Sequence, residues 1–190
     1  MSTLIIVLRI IPLLAFAGPM VLSNRQRRAT KEQVSGGGSD RLPVVANFGV
    51  FGVYVASLLV FSGSAASCTA LLLASTGAAL GVAGAAFVVR SRAALGPAWS
   101  LVPKAHDSTG LVTTGPYRLV RHPIYFGLCL ITAGEALAFG SWPALTIVLF
   151  AIVPTFAWRA RAEEDLLGRT FGDRYAVYRQ RTKMIIPYLF

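Results

Sequence analysis

Five apolar runs alternate with three clusters of basic residues, and this alternation limits what the chain can fold into. The runs cover residues 3–22, 44–61, 65–89, 124–139 and 142–158; the clusters cover 25–41, 90–121 and 159–183. A bilayer core about 30 Å thick takes about twenty residues of helix, and runs of roughly this length fit it. Backbone polar groups must be satisfied internally in lipid, so the runs are expected to be helices. Only 14% of the residues are charged and 55% are hydrophobic, whereas soluble domains carry about 25% charged residues. The net charge of +10 would suit a nucleic-acid binder, but such a protein does not need five apolar blocks. Cytoplasmic loops rich in Lys and Arg explain the pattern better. Cys68 and Cys129 lie inside apolar runs, and the two histidines are isolated, so neither a disulfide framework nor a metal site is expected.

The uncharged turns fix the expected topology. Ser62-Gly63-Ser64 and Gly140-Ser141 separate consecutive runs without a single charge. Placing both turns outside and all three basic clusters in the cytoplasm requires five spans, an external N-terminus and a cytoplasmic C-terminus. The first run contains Arg9 and Pro12, and Ala15-Phe16-Ala17 resembles a signal-peptidase site. Its only charge lies within the apolar stretch, not before it, so a retained first helix is expected. Residues 23–43, with Ser35-Gly36-Gly37-Gly38-Ser39, form the expected cytoplasmic loop. In the third run Gly77 and Gly81 are spaced for close helix packing. Trp142 and Trp158 stand where interfacial anchors belong. After them Leu166, Leu167, Phe171, Tyr175 and Tyr178 recur at three- and four-residue steps among charges. Residues 159–180 are therefore expected to be an amphipathic helix outside the core of the bilayer, broken near Gly172.

Two polar clusters on the cytoplasmic face are candidates for chemistry. In the first, Gly115-Pro116-Tyr117 punctuates the chain and Arg121-His122-Pro123 begins a helix. Exposed backbone donors at such a start, together with Arg121, favour an anion; an interfacial Arg and His anchoring the helix end is the plainer alternative. The second cluster contains Arg159, Arg161, Glu163 and Glu164. Adjacent helical carboxylates face different sides, so one is expected to face a ligand while the other pairs with an arginine. A solvated face laced with ion pairs would look the same in sequence. Glu135, inside the fourth run, is expected to be a bundle-facing, hydrogen-bonded carboxylate.

Together these clusters resemble the isoprenylcysteine carboxyl methyltransferase family and its phospholipid methyltransferase relatives. The likeness lies in Gly115-Pro116-Tyr117, Arg121-His122-Pro123, Tyr125 and Gly127, followed by Arg161, Glu163-Glu164, Leu167, Phe171-Gly172, Tyr175, Tyr178 and Pro187. It covers about half the chain, from Leu101 onward. Residues 101–190 are accordingly expected to be the catalytic region, and residues 1–100 a three-span membrane region.

The resemblance implies an all-α polytopic membrane enzyme that uses S-adenosylmethionine to methylate the carboxylate of an isoprenylated cysteine or a similar lipid-like substrate. It implies that Gly115, Tyr117, His122, Tyr125, Gly127, Glu163 and Glu164 surround the cofactor, with either glutamate holding its polar groups. It also implies that Arg121 and Arg181 orient the acceptor carboxylate, with Lys183 a substitute for the latter. The eukaryotic members often continue with Pro-Thr-Gly where this chain has Lys183-Met184-Ile185, which leaves the acceptor open. A phospholipid amine is one alternative. A second is an NADPH-dependent sterol-type reductase, because those enzymes carry a similar Arg-His-Pro segment. A non-enzymatic packing or transport component is the third.

Overall fold

The structure, a computed structural model, describes residues 3–14, 42–63, 67–96 and 110–188. The end of the first apolar run, the expected loop as far as residue 41, and residues 97–109 lie outside the described residues. Among the described residues seven α-helices follow one another: α1 Thr3–Leu14, α2 Leu42–Val60, α3 Cys68–Leu95, α4 Pro123–Ala138, α5 Trp142–Ile147, α6 Val153–Phe171 and α7 Asp173–Arg181. A short 3-10 turn, Gly115–Arg118, precedes α4. The fold is all-α and membrane-spanning; among the described residues two helices are long and apolar enough to cross a bilayer, α3 and the continuous helix Trp142–Phe171. The other apolar helices, α1, α2 and α4, are shorter.

Helix and apolar run do not end together. α3 continues past Val89 through Arg90 and Arg92 to Leu95, where Gly96 at φ 52° turns the chain. Arginine is a good helix former and suits the negative end of the helix dipole, so its charge marks the edge of the lipid without stopping the helix. The fifth run behaves likewise. No break separates Trp158 from Arg159, so the expected amphipathic helix begins as an uninterrupted continuation of the span. It ends, as the sequence predicts, at Gly172, whose φ of 51° closes α6 before α7 starts. A π-helical turn, Val148–Ile152, joins α5 to α6 just ahead of Pro154. Proline cannot donate to the carbonyl four residues back and its ring collides with it, and the wider turn relieves that clash.

Packing centres on α3 against α4. A Cβ on Gly77 would lie 2.3 Å from the Gly134 carbonyl oxygen, and one on Gly84 would lie 2.5 Å from that of Gly127. Two glycines seven residues apart on each helix thus bring the backbones into direct contact. Gly81 is tightly packed as well: a Cβ on Gly134 would lie 3.0 Å from its backbone N, and its own Cβ would meet Pro12 of α1 at 2.9 Å. The charge in α1 also has a structural partner. Arg9 donates through Nε to the Ala138 carbonyl at 2.9 Å and through Nη2 to that of Gly63 at 2.5 Å. It therefore satisfies carbonyls at the end of α4 and in the turn after α2. Glu135 is buried within the bundle, as expected, and accepts from the Tyr54 hydroxyl at 2.9 Å.

Candidate functional site

The beginning of α4 is held from two directions. The backbone N–H groups of Arg121 and His122 donate to the carbonyls of Lys183 and Met184 at 2.8 and 2.9 Å. Val120 and Lys183 form a parallel bridge, so the segment after α7 pairs with the approach to α4 like a fragment of strand. Beneath it Tyr125, Ala157, Ala160, Met184 and Ile185 form a buried apolar cluster. Gly115, at φ 61°, makes the turn that buries Tyr117. The Tyr178 hydroxyl donates to the Tyr117 carbonyl at 2.7 Å, tying α7 to the same turn.

Glu163 and Glu164 both reach this assembly. Glu163 Oε2 lies 3.5 Å from His122 Nδ1, and Glu164 Oε1 lies 3.5 Å from His122 Nε2. The helix does send the two carboxylates in different directions, as the sequence predicts. The two imidazole nitrogens also point apart, so one ring lies between both carboxylates. Glu163 Oε1 accepts from the Tyr125 hydroxyl at 2.5 Å and from Arg159 Nε at 3.3 Å. Glu164 Oε1 accepts from Arg121 Nε at 2.6 Å, and Arg179 Nε stands 3.7 Å from its other oxygen. Tyr125 stacks near-parallel to both His122 and Phe156, with ring centres 5.6 and 5.1 Å apart. An open cleft of about 730 Å³ between the end of α6 and α7 adjoins this cluster, lined by Glu164, Asp165, Gly168, Tyr175 and Arg179 among others.

These charges set one another's protonation. A thirty-residue helix is about 45 Å long, so Trp142–Phe171 overshoots the hydrocarbon and carries Glu163 and Glu164 beyond it. Burial alone would lower the His122 imidazole, but the two glutamates outweigh it and raise the pKa above the ordinary value. Burial alone would raise both carboxylates. Hydrogen bonds and positive charge from His122, Tyr125 and Arg159 reverse this for Glu163 and hold it below its usual range. His122 and Arg121 do the same for Glu164, bringing it down to about 2. The two carboxylates thus favour the imidazolium form of the ring that lies between them. His122 Nε2 is buried and, although attracted by Glu164, lacks a hydrogen bond in good geometry.

The structure thus gathers His122, Tyr125, Glu163 and Glu164 around one small volume, with buried Tyr117 near enough to feel the charge of Glu163. It gives Arg121 several partners: besides Glu164, its Nη1 donates to the carbonyls of Arg179 and Thr182. Gly127 packs against Gly84 and Val88 of α3. Arg181 is exposed in the last turn of α7. Three contributors escaped the sequence reading: Phe156, Arg179 and the Tyr178 tether. The Arg159-to-Glu163 contact had a visible signal in its four-residue spacing, although its approach to the Tyr125 ring did not.

Most of the known proteins that the chain resembles are named as methyltransferases. The family described as Phospholipid methyltransferase matches residues 72–174, reaching back into α3 and ahead of Leu101. Methanethiol S-methyltransferase 1 of Bradyrhizobium diazoefficiens is 42% identical over 77 residues, 38% of this chain and 24% of that protein. Protein-S-isoprenylcysteine O-methyltransferase of Schizosaccharomyces pombe is 34% identical over 77 residues, 40% of this chain and 33% of that protein. Protein-S-isoprenylcysteine O-methyltransferase A of Arabidopsis thaliana is 35% identical over 82 residues, 42% and 41% of the two chains. The matched stretch therefore spans less than half of each relative. The solved structure of the eukaryotic intramembrane Ras methyltransferase ICMT (isoprenylcysteine carboxyl methyltransferase) superposes with a TM-score of 0.59 at 18% identity. That superposition covers 94% of this chain and 68% of the other, a likeness of fold.

Proposed function

Because this chain belongs to the phospholipid methyltransferase family, we propose that it is an S-adenosylmethionine-dependent methyltransferase acting on a lipid-like acceptor reached from the membrane. The acceptor favoured is the carboxylate of an isoprenylated cysteine or a close analogue. The observation that carries this reading is the buried His122 held between Glu163 and Glu164. Carboxylates beside an aromatic ring suit a positively charged ligand, and buried His122 Nε2 has Glu164 3.5 Å away but no hydrogen bond of good geometry. The residues present therefore fit S-adenosylmethionine, with Tyr117, His122 and Tyr125 bounding it and Glu163 or Glu164 holding its polar groups. Bound there, it supplies an electrophilic methyl group whose transfer to a nucleophile leaves a neutral thioether.

The chain's own residues then align the acceptor and exclude water. Glu163 and Glu164 are both ion-paired, and His122, whose pKa they raise, lies between them. Neither glutamate is free of a cationic partner, so neither stands ready as a base. This arrangement favours an acceptor that is already a nucleophile near neutral pH over an ammonium lipid that must first lose a proton. A carboxylate meets that requirement. So does a thiolate, the acceptor class suggested by the name of the Bradyrhizobium relative. Arg181 is assigned to orient the acceptor, and Arg121 to hold Glu164 and the end of α7 in register. Gly115 and Gly127 serve the cofactor pocket through the turn and through helix contact.

In this reading residues 1–100 are a three-span region and residues 101–190 carry the chemistry on the cytoplasmic face, in a five-span chain with its C-terminus inside. Cys68 is exposed at the start of α3, so a membrane-impermeant thiol reagent is expected to label it from outside in intact cells. Labelling only after the membrane is opened would reverse the topology. Function is tested by calorimetry on the detergent-solubilised chain, followed by assay with prenyl-cysteine, thiol and phospholipid-amine acceptors. S-adenosylmethionine is expected to bind and NADPH is not. Binding of NADPH without S-adenosylmethionine would replace this reading with a reductase.

A further inference from the structure

Arg159 fills a position built for a cation. Its Nε lies 3.3 Å from Glu163 Oε1, and its guanidinium carbon is 5.7 Å from the centre of the Tyr125 ring. The Tyr125 hydroxyl donates to the same carboxylate oxygen at 2.5 Å. One carboxylate edge and one aromatic face therefore meet at a single seat, a combination that attracts positive charge. The seat is sheltered, since the Arg159 and Glu163 side chains are only 16% and 20% exposed. Arg159 reaches it from one turn earlier on the same helix, at i,i+4 spacing. A long side chain can change rotamer without any movement of α6.

The geometry points to Arg159 as an internal placeholder that occupies the Tyr125–Glu163 seat until the sulfonium of the methyl donor takes it. This rests on the methyl-donor reading above. A sulfonium carries its charge on a soft sulfur with no N–H groups, so an aromatic face and one carboxylate oxygen suffice for it. An ammonium would ask for up to three acceptors. The placeholder also acts after transfer. When the methyl carbon bonds to the acceptor, the electron pair of the broken C–S bond stays on sulfur, which becomes neutral. A neutral thioether competes poorly for the seat, and the returning guanidinium favours its release.

The test compares S-adenosylmethionine with S-adenosylhomocysteine by calorimetry on the full chain in detergent. In Arg159→Gln the affinity for the sulfonium ligand is expected to rise about tenfold relative to the thioether, because Glu163 no longer has an internal cation to exchange. Arg159→Lys retains a cation and is expected to stay near the wild-type ratio. Adding Glu163→Gln to Arg159→Gln is expected to erase the gain. An unchanged ratio in Arg159→Gln overturns the proposal. So does an equal loss of both affinities with a lower unfolding temperature, which is the mark of a purely structural arginine. Arg159→Met, which keeps the aliphatic stem, gives the same readout if the glutamine variant does not fold. A wild-type chain that binds neither ligand overturns the methyl-donor reading itself, and the placeholder with it.

Discussion

The Tyr178 hydroxyl donates to the Tyr117 carbonyl at 2.7 Å across 61 residues of sequence. This one bond connects α7 to the turn that presents Tyr117. Tyr178 is pushed up to about 12, chiefly by burial, so it remains a donor throughout the accessible range. Tyr178→Phe keeps the ring and leaves the carbonyl without this partner. The expected cost is about 1 to 2 kcal/mol of stability. Donor affinity is expected to fall roughly three- to tenfold as the turn loosens. Thermal unfolding in detergent and an S-adenosylmethionine titration check the two effects separately. Wild-type values in both would show that the turn is held well enough without α7.

The glycine seam between α3 and α4 makes a contrasting prediction, confined to stability. Gly77→Ala places a methyl 2.3 Å from the Gly134 carbonyl and 2.8 Å from the Ala138 Cβ. Both obstacles belong to a packed helix, so the helices must separate. A loss of about 1 to 3 kcal/mol is expected. Gly49 and Gly52 on α2 have nothing within 4 Å of such a methyl, and alanine at either is expected to be neutral or slightly stabilising. Equal unfolding temperatures for Gly77→Ala and Gly49→Ala would refute the seam.

How much of this was legible in the sequence differs from feature to feature. Pro123 and Gly172 announced a helix start and a helix break through backbone chemistry that belongs to the residue itself, and both stand where expected. The helices of the third and fifth runs continue past their apolar stretches because hydropathy marks the edge of the lipid, whereas Arg90, Arg92 and Arg159 are comfortable in a helix on either side of it. At the site, His122 and the two glutamates could be nominated, but not their joint contact. Helical spacing describes where Cβ atoms point, and it is silent on an imidazole whose nitrogens diverge to meet both carboxylates. The pairing of Lys183 and Met184 with Arg121 and His122 had no side-chain signature, since it is made by backbone groups alone. Gly127 was nominated from the motif, while the partner that explains its packing, Gly84, lies on another helix.

The imidazolium between two carboxylates predicts a bounded pH range for stability. His122 has a folded pKa above its ordinary 6.5, so its contribution is complete below 6.5 and is lost as pH rises through the folded value. Glu164 has a folded pKa of about 2 against an ordinary 4.5, and Glu163 is also lowered. Their contribution is complete above 4.5 and is lost as pH falls toward 2. The cluster is therefore expected to stabilise the chain most between pH 4.5 and 6.5. Unfolding temperatures measured across pH, in wild type and in His122→Gln, provide the check. The alkaline decline should be smaller in the variant; an identical decline would mean that His122 is not its source.

Arg121 and Arg181 are expected to fail in different ways. The Arg121 side chain is 8% exposed and bonds Glu164 as well as two carbonyls near the end of α7. Removing it leaves a buried carboxylate with less compensation, so Arg121→Ala is expected to cost about 3 kcal/mol of stability and to weaken donor binding. Arg181 is exposed, and its removal is expected to change stability by less than about 0.5 kcal/mol. Its assigned work is on the acceptor side. Losing a charge-assisted contact to a carboxylate that must be oriented would cost about 2 to 4 kcal/mol, or roughly thirty- to a thousandfold in methyl-ester formation. S-adenosylmethionine affinity should be unaltered in Arg181→Ala. The informative pair of measurements is donor binding without acceptor and turnover of a prenyl-cysteine analogue at saturating donor. If Arg181→Ala binds the donor poorly yet turns over normally once saturated, the residue belongs to the donor side. If neither measurement moves, Arg181 is a surface arginine, and the orienting cation must be sought at Arg174 or Lys183.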